Sequence, residues 1–166
     1  MRTLRLLTMG GLLAALAACG QGSDGATGEG GDKDYLSMKP EEVCKLLTVD
    51  EASQAMKPIT TDELTASGEQ QNSLPACRYG AGEGKAYLLL SIHQSSAMGG
   101  DEDAEKVTVA GKEALQTRPS TGCSVAVPLD DQHYLLAIAE SWKSDDEESC
   151  QAATEALEKA YPRLSN

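Results

Sequence analysis

Five cysteines carry the clearest chemistry in this chain of 166 residues. Cys44, Cys77, Cys123 and Cys150 follow one another at intervals of 33, 46 and 27 residues. Zinc sites use closely spaced ligand pairs, and no Cys-x-x-Cys occurs here, so thiolate–metal chemistry is set aside. In an oxidising compartment four such thiols form two disulfides, and four cysteines allow three connectivities. Cys44 and Cys150 lie in helix-forming segments, whereas Cys77 and Cys123 open strand-like runs, CRYG and CSVAV. The sequence leaves the connectivity open. The expectation is the sequentially nearest choice, Cys44 with Cys77 and Cys123 with Cys150, which ties each helix cysteine to a strand cysteine. Each bridge would close a loop of about 30 residues, worth about 3–4 kcal/mol in the chain-entropy model. A chain with no phenylalanine and one tryptophan gains from such cross-links what a larger core would supply. Cys19, the fifth, is left over from this pairing.

Other motifs fall short of a reaction. GAGEGK at 80–85 suggests a phosphate loop, but that pattern needs Gly five residues before its Gly-Lys pair and Ser or Thr after it. Tyr79 and Ala86 hold those positions, which leaves a hairpin turn. His93 and His133 each stand near a strand end, and no GxSxG nucleophile elbow accompanies them. The acidic runs GGDEDAE and SDDEES lack the DxDxDG spacing that wraps calcium, and read as a solvated loop and a helix start. No catalytic residue, metal ligand or cofactor is expected.

The elements that must position these residues follow from periodicity. In KPEEVCKLL, Pro40 suits the first helical position and Glu41 and Glu42 suit the positive end of the helix dipole. In TVDEASQAM, Thr48 and Glu51 have capping-box spacing. Toward the C-terminus, Ser144 with Glu147 and an acidic first turn open a last helix, on which Cys150, Ala153, Leu157, Ala160 and Leu164 share one face. AYLLLSIHQ and HYLLAIAESW alternate with apolar residues on both faces, as central strands do. Shorter strands are expected at KVTVA, EALQT and CSVAV, with turns at Gly111-Lys112 and 130–132. Residues 57–75 and 96–105 read as loops. Helices at both ends of a run of strands give an α+β domain: an antiparallel-rich sheet with an N-terminal helix pair and a C-terminal helix packed on it.

Residues 1–18 form a secretion signal, with Arg2 and Arg5 before an apolar segment from Leu6 to Ala18. As a helix that segment spans about 20 Å, short of the roughly 30 Å hydrocarbon core. Leu16-Ala17-Ala18-Cys19 resembles the lipobox of bacterial lipoproteins, which implies that Cys19 is acylated and becomes the N-terminus. Residues 20–34 contain six glycines and nothing to bury. On that resemblance residues 19–34 are expected to be the lipidated cysteine and a flexible tether, with a root-mean-square span of about 20–23 Å, and 35–166 one extracytoplasmic domain. Losing Arg2 and Arg5 with the leader leaves 12 basic and 26 acidic residues, a net charge of −14. Nucleic acid and anionic lipid are poor partners for such a surface. The membrane is expected as a partner through the anchor only, and a monomer is expected.

VCKLLTVDEASQAM, PACRYG, VTVAGKEA, GCSVAV and SCQAATEALEKAYPRL together resemble the DUF3558 family of actinobacterial lipoproteins across residues 35–166. Cys44, Cys77, Cys123 and Cys150 match the family's cysteine positions. The resemblance implies a lipid-anchored α+β envelope domain on the outer face of the cytoplasmic membrane, and carries over no catalytic residue. Two functions remain: a binding or sensing module for an envelope ligand, which is favoured, and an extracytoplasmic hydrolase-like enzyme whose site the sequence does not display. An enzyme would need a pocket holding several titratable groups with shifted pKa values. If Cys77 and Cys123 point toward helices, alternation puts Val125, Val127 and Tyr79 with them and Arg78, Ser124 and Ala126 on the opposite, open face. An arginine there is a bidentate donor for a carboxylate or phosphate. Tyr87 and His93, on one strand and face, would join it if the register allows.

Overall fold

The computed structural model describes residues 34–95, 103–142 and 146–164. They belong to a compact unit spanning 33–166. Cys19, the leader, most of the tether, most of the 96–105 segment and Ser144 lie outside the described residues. Seven strands form one antiparallel sheet: β1 (Thr65–Gln71), β2 (Leu74–Gly80), β3 (Tyr87–Gln94), β4 (Glu105–Val109), β5 (Lys112–Thr117), β6 (Gly122–Pro128) and β7 (His133–Glu140). Their order is β1-β2-β3-β7-β6-β5-β4. The chain thus lays down one meander, crosses to the far edge, and meanders back until β7 pairs with β3. Those two strands, apolar on both faces, are the centre of the sheet.

Three helices cover one face: α1 (Pro40–Val43), α2 (Val49–Ala55) and α3 (Asp146–Leu164). Pro40 occupies the first turn of α1, and the backbone N–H of Lys39 donates to Glu42 at 2.8 Å. Thr48 and Glu51 form the expected reciprocal cap on α2, with Glu51 N–H to Thr48 Oγ1 at 3.2 Å and Thr48 N–H to Glu51 Oε2 at 2.8 Å. A one-turn 3-10 helix, Cys44–Leu46, links them. Helix α3 lies across β6 and β7 and α1 lies over β1 and β2. Cys150, Ala153, Leu157, Ala160 and Leu164 are all buried against the sheet, with Ala152, Ala156 and Tyr161 widening the stripe. The core lies between the layers, where Tyr79, Leu88, Leu90, Ile92, Val125, Val127 and Leu135 meet the helices.

Two cross-links fasten the helices to the sheet, and an ion pair joins two of the helices to each other. Cys44 is joined to Cys77, and Cys123 to Cys150. Beside the first, the Tyr79 hydroxyl donates to the carbonyl of Leu47 at 2.7 Å. Gly68 of β1 leaves room for α1 there: a Cβ would come within 3.0 Å of Pro40 Cβ. At the end of α3, Arg163 Nη1 and Nη2 donate to the two carboxylate oxygens of Glu51 at 2.8 and 2.7 Å, and Nη1 also reaches the Leu46 carbonyl at 2.8 Å.

The loop expected at 57–75 is corrected. Residues 65–71 are the edge strand β1, joined to β2 by a two-residue turn in which Asn72 and Ser73 have φ of 51° and 69°. The turn expected at Gly111-Lys112 shifts by one residue: Ala110 and Gly111 hold the positive φ values and Lys112 begins β5.

Candidate functional site around Arg78

Strand alternation sends Cys77 into the helical layer and Arg78 to the other side. The disulfide to Cys44 therefore anchors the strand that presents Arg78. On β3, Leu89 is the cross-strand partner of Arg78, so Tyr87, two residues earlier, shares the face. The Arg78 guanidinium carbon sits 3.8 Å from the centre of the Tyr87 ring. Among the described residues its one ion-pair contact is Nε to Glu69 Oε1 of β1 at 3.6 Å, with both side chains more than a third exposed. Such a pair is worth at most about 1 kcal/mol.

The platform under Arg78 is itself fixed. Tyr87 Oη donates to Glu140 Oε2 of β7, and Glu140 Oε1 accepts from Thr121 Oγ1 at 3.0 Å. Burial, and then the bonded Glu140 carboxylate, push the Tyr87 phenol above its usual range. The phenol therefore stays protonated and keeps its donor role. The result is a guanidinium over a clamped ring, in contact with the phenol and weakly paired with Glu69. Around it Thr65, Ser67, Gly80, Gly82 and Glu83 shape a cleft of about 460 Å³. This arrangement can bind an oxyanion through two parallel N–H donors.

The other expected face residues do not gather there. Ser124 lies in the same cross-strand row as Arg78, but through Ile138 and Leu89, three strand spacings away. At about 4.8 Å per strand that is roughly 14 Å. Ala126, expected on an open face, is only 8% exposed. Alternation assigns a residue to a face but says nothing of which strands neighbour one another. His93 is six residues along β3 from Tyr87, stacked on Tyr134 with ring centres 5.2 Å apart. Its Nε2 shares a hydrogen bond with Ser91 Oγ at 2.9 Å, and burial lowers its pKa. The Ser91 side chain has 0% exposure, so this hydroxyl has no path to a substrate. Among the described residues no group of three or more His, Cys, Asp or Glu is placed to hold a metal ion.

Sequence reasoning missed Glu69 and Glu140. Glu69 lies on the strand read as loop, and Glu140, at the end of an apolar strand, acquires its role only through the β3–β7 register. Trp142, the chain's single tryptophan, is also outside the expected site and is 66% exposed.

A family model described as "Protein of unknown function (DUF3558)" matches residues 14–163. No curated protein and no solved structure matches the chain at a significant level.

Proposed function

This chain belongs to the DUF3558 family of proteins of unknown function, and on that premise we propose that it is a lipid-anchored envelope protein whose cleft at Arg78, on the sheet face opposite the helices, binds a ligand carrying a carboxylate or phosphate. The observation that carries the reading is the guanidinium of Arg78, stacked on Tyr87 and only loosely paired with Glu69, on the face away from both disulfides. A structural arginine is normally consumed by its partners, as Arg163 is by Glu51 and Leu46. Arg78 keeps donors to spare.

The anchor rests on the leader, the lipobox-like Leu16-Ala17-Ala18-Cys19 and the glycine-rich tether. One acyl chain binds a membrane marginally, while two or more hold firmly. The domain then works at the outer face of the cytoplasmic membrane. Binding rather than catalysis is favoured because, among the described residues, no hydroxyl at the cleft is hydrogen-bonded to a carboxylate or histidine that could activate it.

Cell fractionation of the wild-type chain and of Cys19→Ala tests the anchor. Wild type should sediment with membranes and carry lipid on Cys19 by mass spectrometry, and Cys19→Ala should leave the membrane fraction or stay unprocessed. An unmodified N-terminus at another residue would end the anchored reading. For the site, calorimetric titration of the full chain with inorganic phosphate and with citrate should give binding that Arg78→Ala abolishes. Equal binding by the variant would remove Arg78 from the function.

A further inference from the structure

A second cleft, of about 610 Å³, lies beyond the β2–β3 turn from Arg78, where the segment after α2, that turn and the end of β7 converge. We propose that it is a saccharide-binding site, sharing Gly84 with the Arg78 cleft but none of its charged groups, with Trp142 as the platform for a sugar ring. Trp142 is two-thirds exposed in a chain that spends its other large apolar side chains on the core; among the described residues only Val49 is also an exposed large hydrophobic. Burying that indole would stabilise the fold, yet it forms one wall of an open cleft within the size range of small-molecule sites.

The lining also carries an organised polar cluster. Lys85 Nζ of the β2–β3 turn pairs with Asp62 Oδ2 at 3.2 Å, bridging two of the three segments. Asp62 N–H donates to Thr60 Oγ1 at 3.1 Å, which fixes the loop beside it. A pyranose ring presents an apolar face of polarised C–H groups and an equator of hydroxyls. The first matches the negative π-face of an indole. The second matches a carboxylate oriented by an ammonium, which accepts from hydroxyls while Lys85 donates. A simple phosphate fits less well, because Lys85 is already paired and no arginine lines the cleft. A purely apolar ligand would strand Asp62, Lys85 and Thr60 without water.

Because Trp142 is the only tryptophan, indole emission of the full chain reports on this cleft alone. The probes are a β-1,4-linked N-acetylglucosamine trimer and an α-linked mannose trimer, read by fluorescence and by saturation-transfer NMR of the sugar protons. At least one trimer should give a saturable emission change and a saturation-transfer signal. Trp142→Ala, at an exposed position that leaves folding intact, should abolish the NMR signal. Asp62→Asn should weaken binding about tenfold, the factor expected for one hydrogen bond, and Arg78→Ala should leave it unchanged. Saturable response from neither trimer, or a signal surviving in Trp142→Ala, overturns the proposal without touching the Arg78 reading. Emission that shifts with phosphatidylglycerol vesicles but with neither sugar also overturns it, and would assign the indole to the bilayer surface.

Discussion

The guanidinium of Arg78 lies 3.8 Å above the ring of Tyr87, whose own hydroxyl is tied to Glu140 two strands from Arg78. A cation on an exposed aromatic face contributes about 0.5–1 kcal/mol, and the partly exposed contact with Glu69 adds little. Arg78→Ala should therefore lower stability by no more than about 1 kcal/mol in urea unfolding. A loss of several kcal/mol would show that Arg78 serves the fold rather than a ligand.

The disulfides should matter far more. Each closes a loop of 33 or 27 residues, so replacing either pair by serines should cost about 3–4 kcal/mol. Non-reducing peptide mapping should recover Cys44 with Cys77 and Cys123 with Cys150. Removing the first pair should also loosen the strand carrying Arg78, which amide exchange at β2 would register. Equal exchange with and without the bridge would contradict its anchoring role.

Acid should weaken the clasp between α2 and α3. The Arg163 guanidinium, and then the Thr48 N–H, hold the Glu51 carboxyl down at about 2, against 4.5 for an ordinary glutamate. A depressed folded-state pKa contributes stability that is fully present above the unfolded value and is lost as pH falls through the folded one. With Glu51 a quarter exposed, solvent screening leaves a contribution of about 1 kcal/mol. Wild type should lose that much between about pH 5 and about pH 2, while Glu51→Gln, already lacking it at neutral pH, should show a flatter acid limb. Parallel limbs in paired thermal melts would contradict the assignment.

What the sequence made legible was whatever lies in local pattern. Pro40 and the Thr48–Glu51 spacing marked helix starts, Cys150 through Leu164 marked a buried stripe, and the alternation of β3 and β7 marked central strands. Edge strand β1 escaped because TASGEQQ is polar on both faces, with one side in solvent and the other under a single turn of α1. Its turn escaped too, since Asn72-Ser73 lacks the glycine that marks a tight hairpin. The face of Arg78 could be deduced from Cys77, but its neighbours could not, because Tyr87 and Glu140 reach it only through strand order and register.

That same turn gives a prediction. Ser73 holds φ of 69°, in the left-handed region where a side chain crowds the backbone. Ser73→Gly should raise the urea midpoint, with a gain of about 0.5–1 kcal/mol. A lower midpoint would mean that the side chain makes up for the strain.

The central claim is that ligand meets this domain at the Arg78 cleft, on the sheet face opposite the helices, and in-cell photocrosslinking tests it most directly. A benzophenone amino acid placed at Ser67, exposed beside Arg78 on β1, is compared with one at Gln151, exposed on α3 in the opposite layer. The account predicts a discrete adduct from Ser67 that disappears when Arg78→Ala is added, and none from Gln151. An adduct from Gln151 alone, or a Ser67 adduct indifferent to Arg78→Ala, would contradict it.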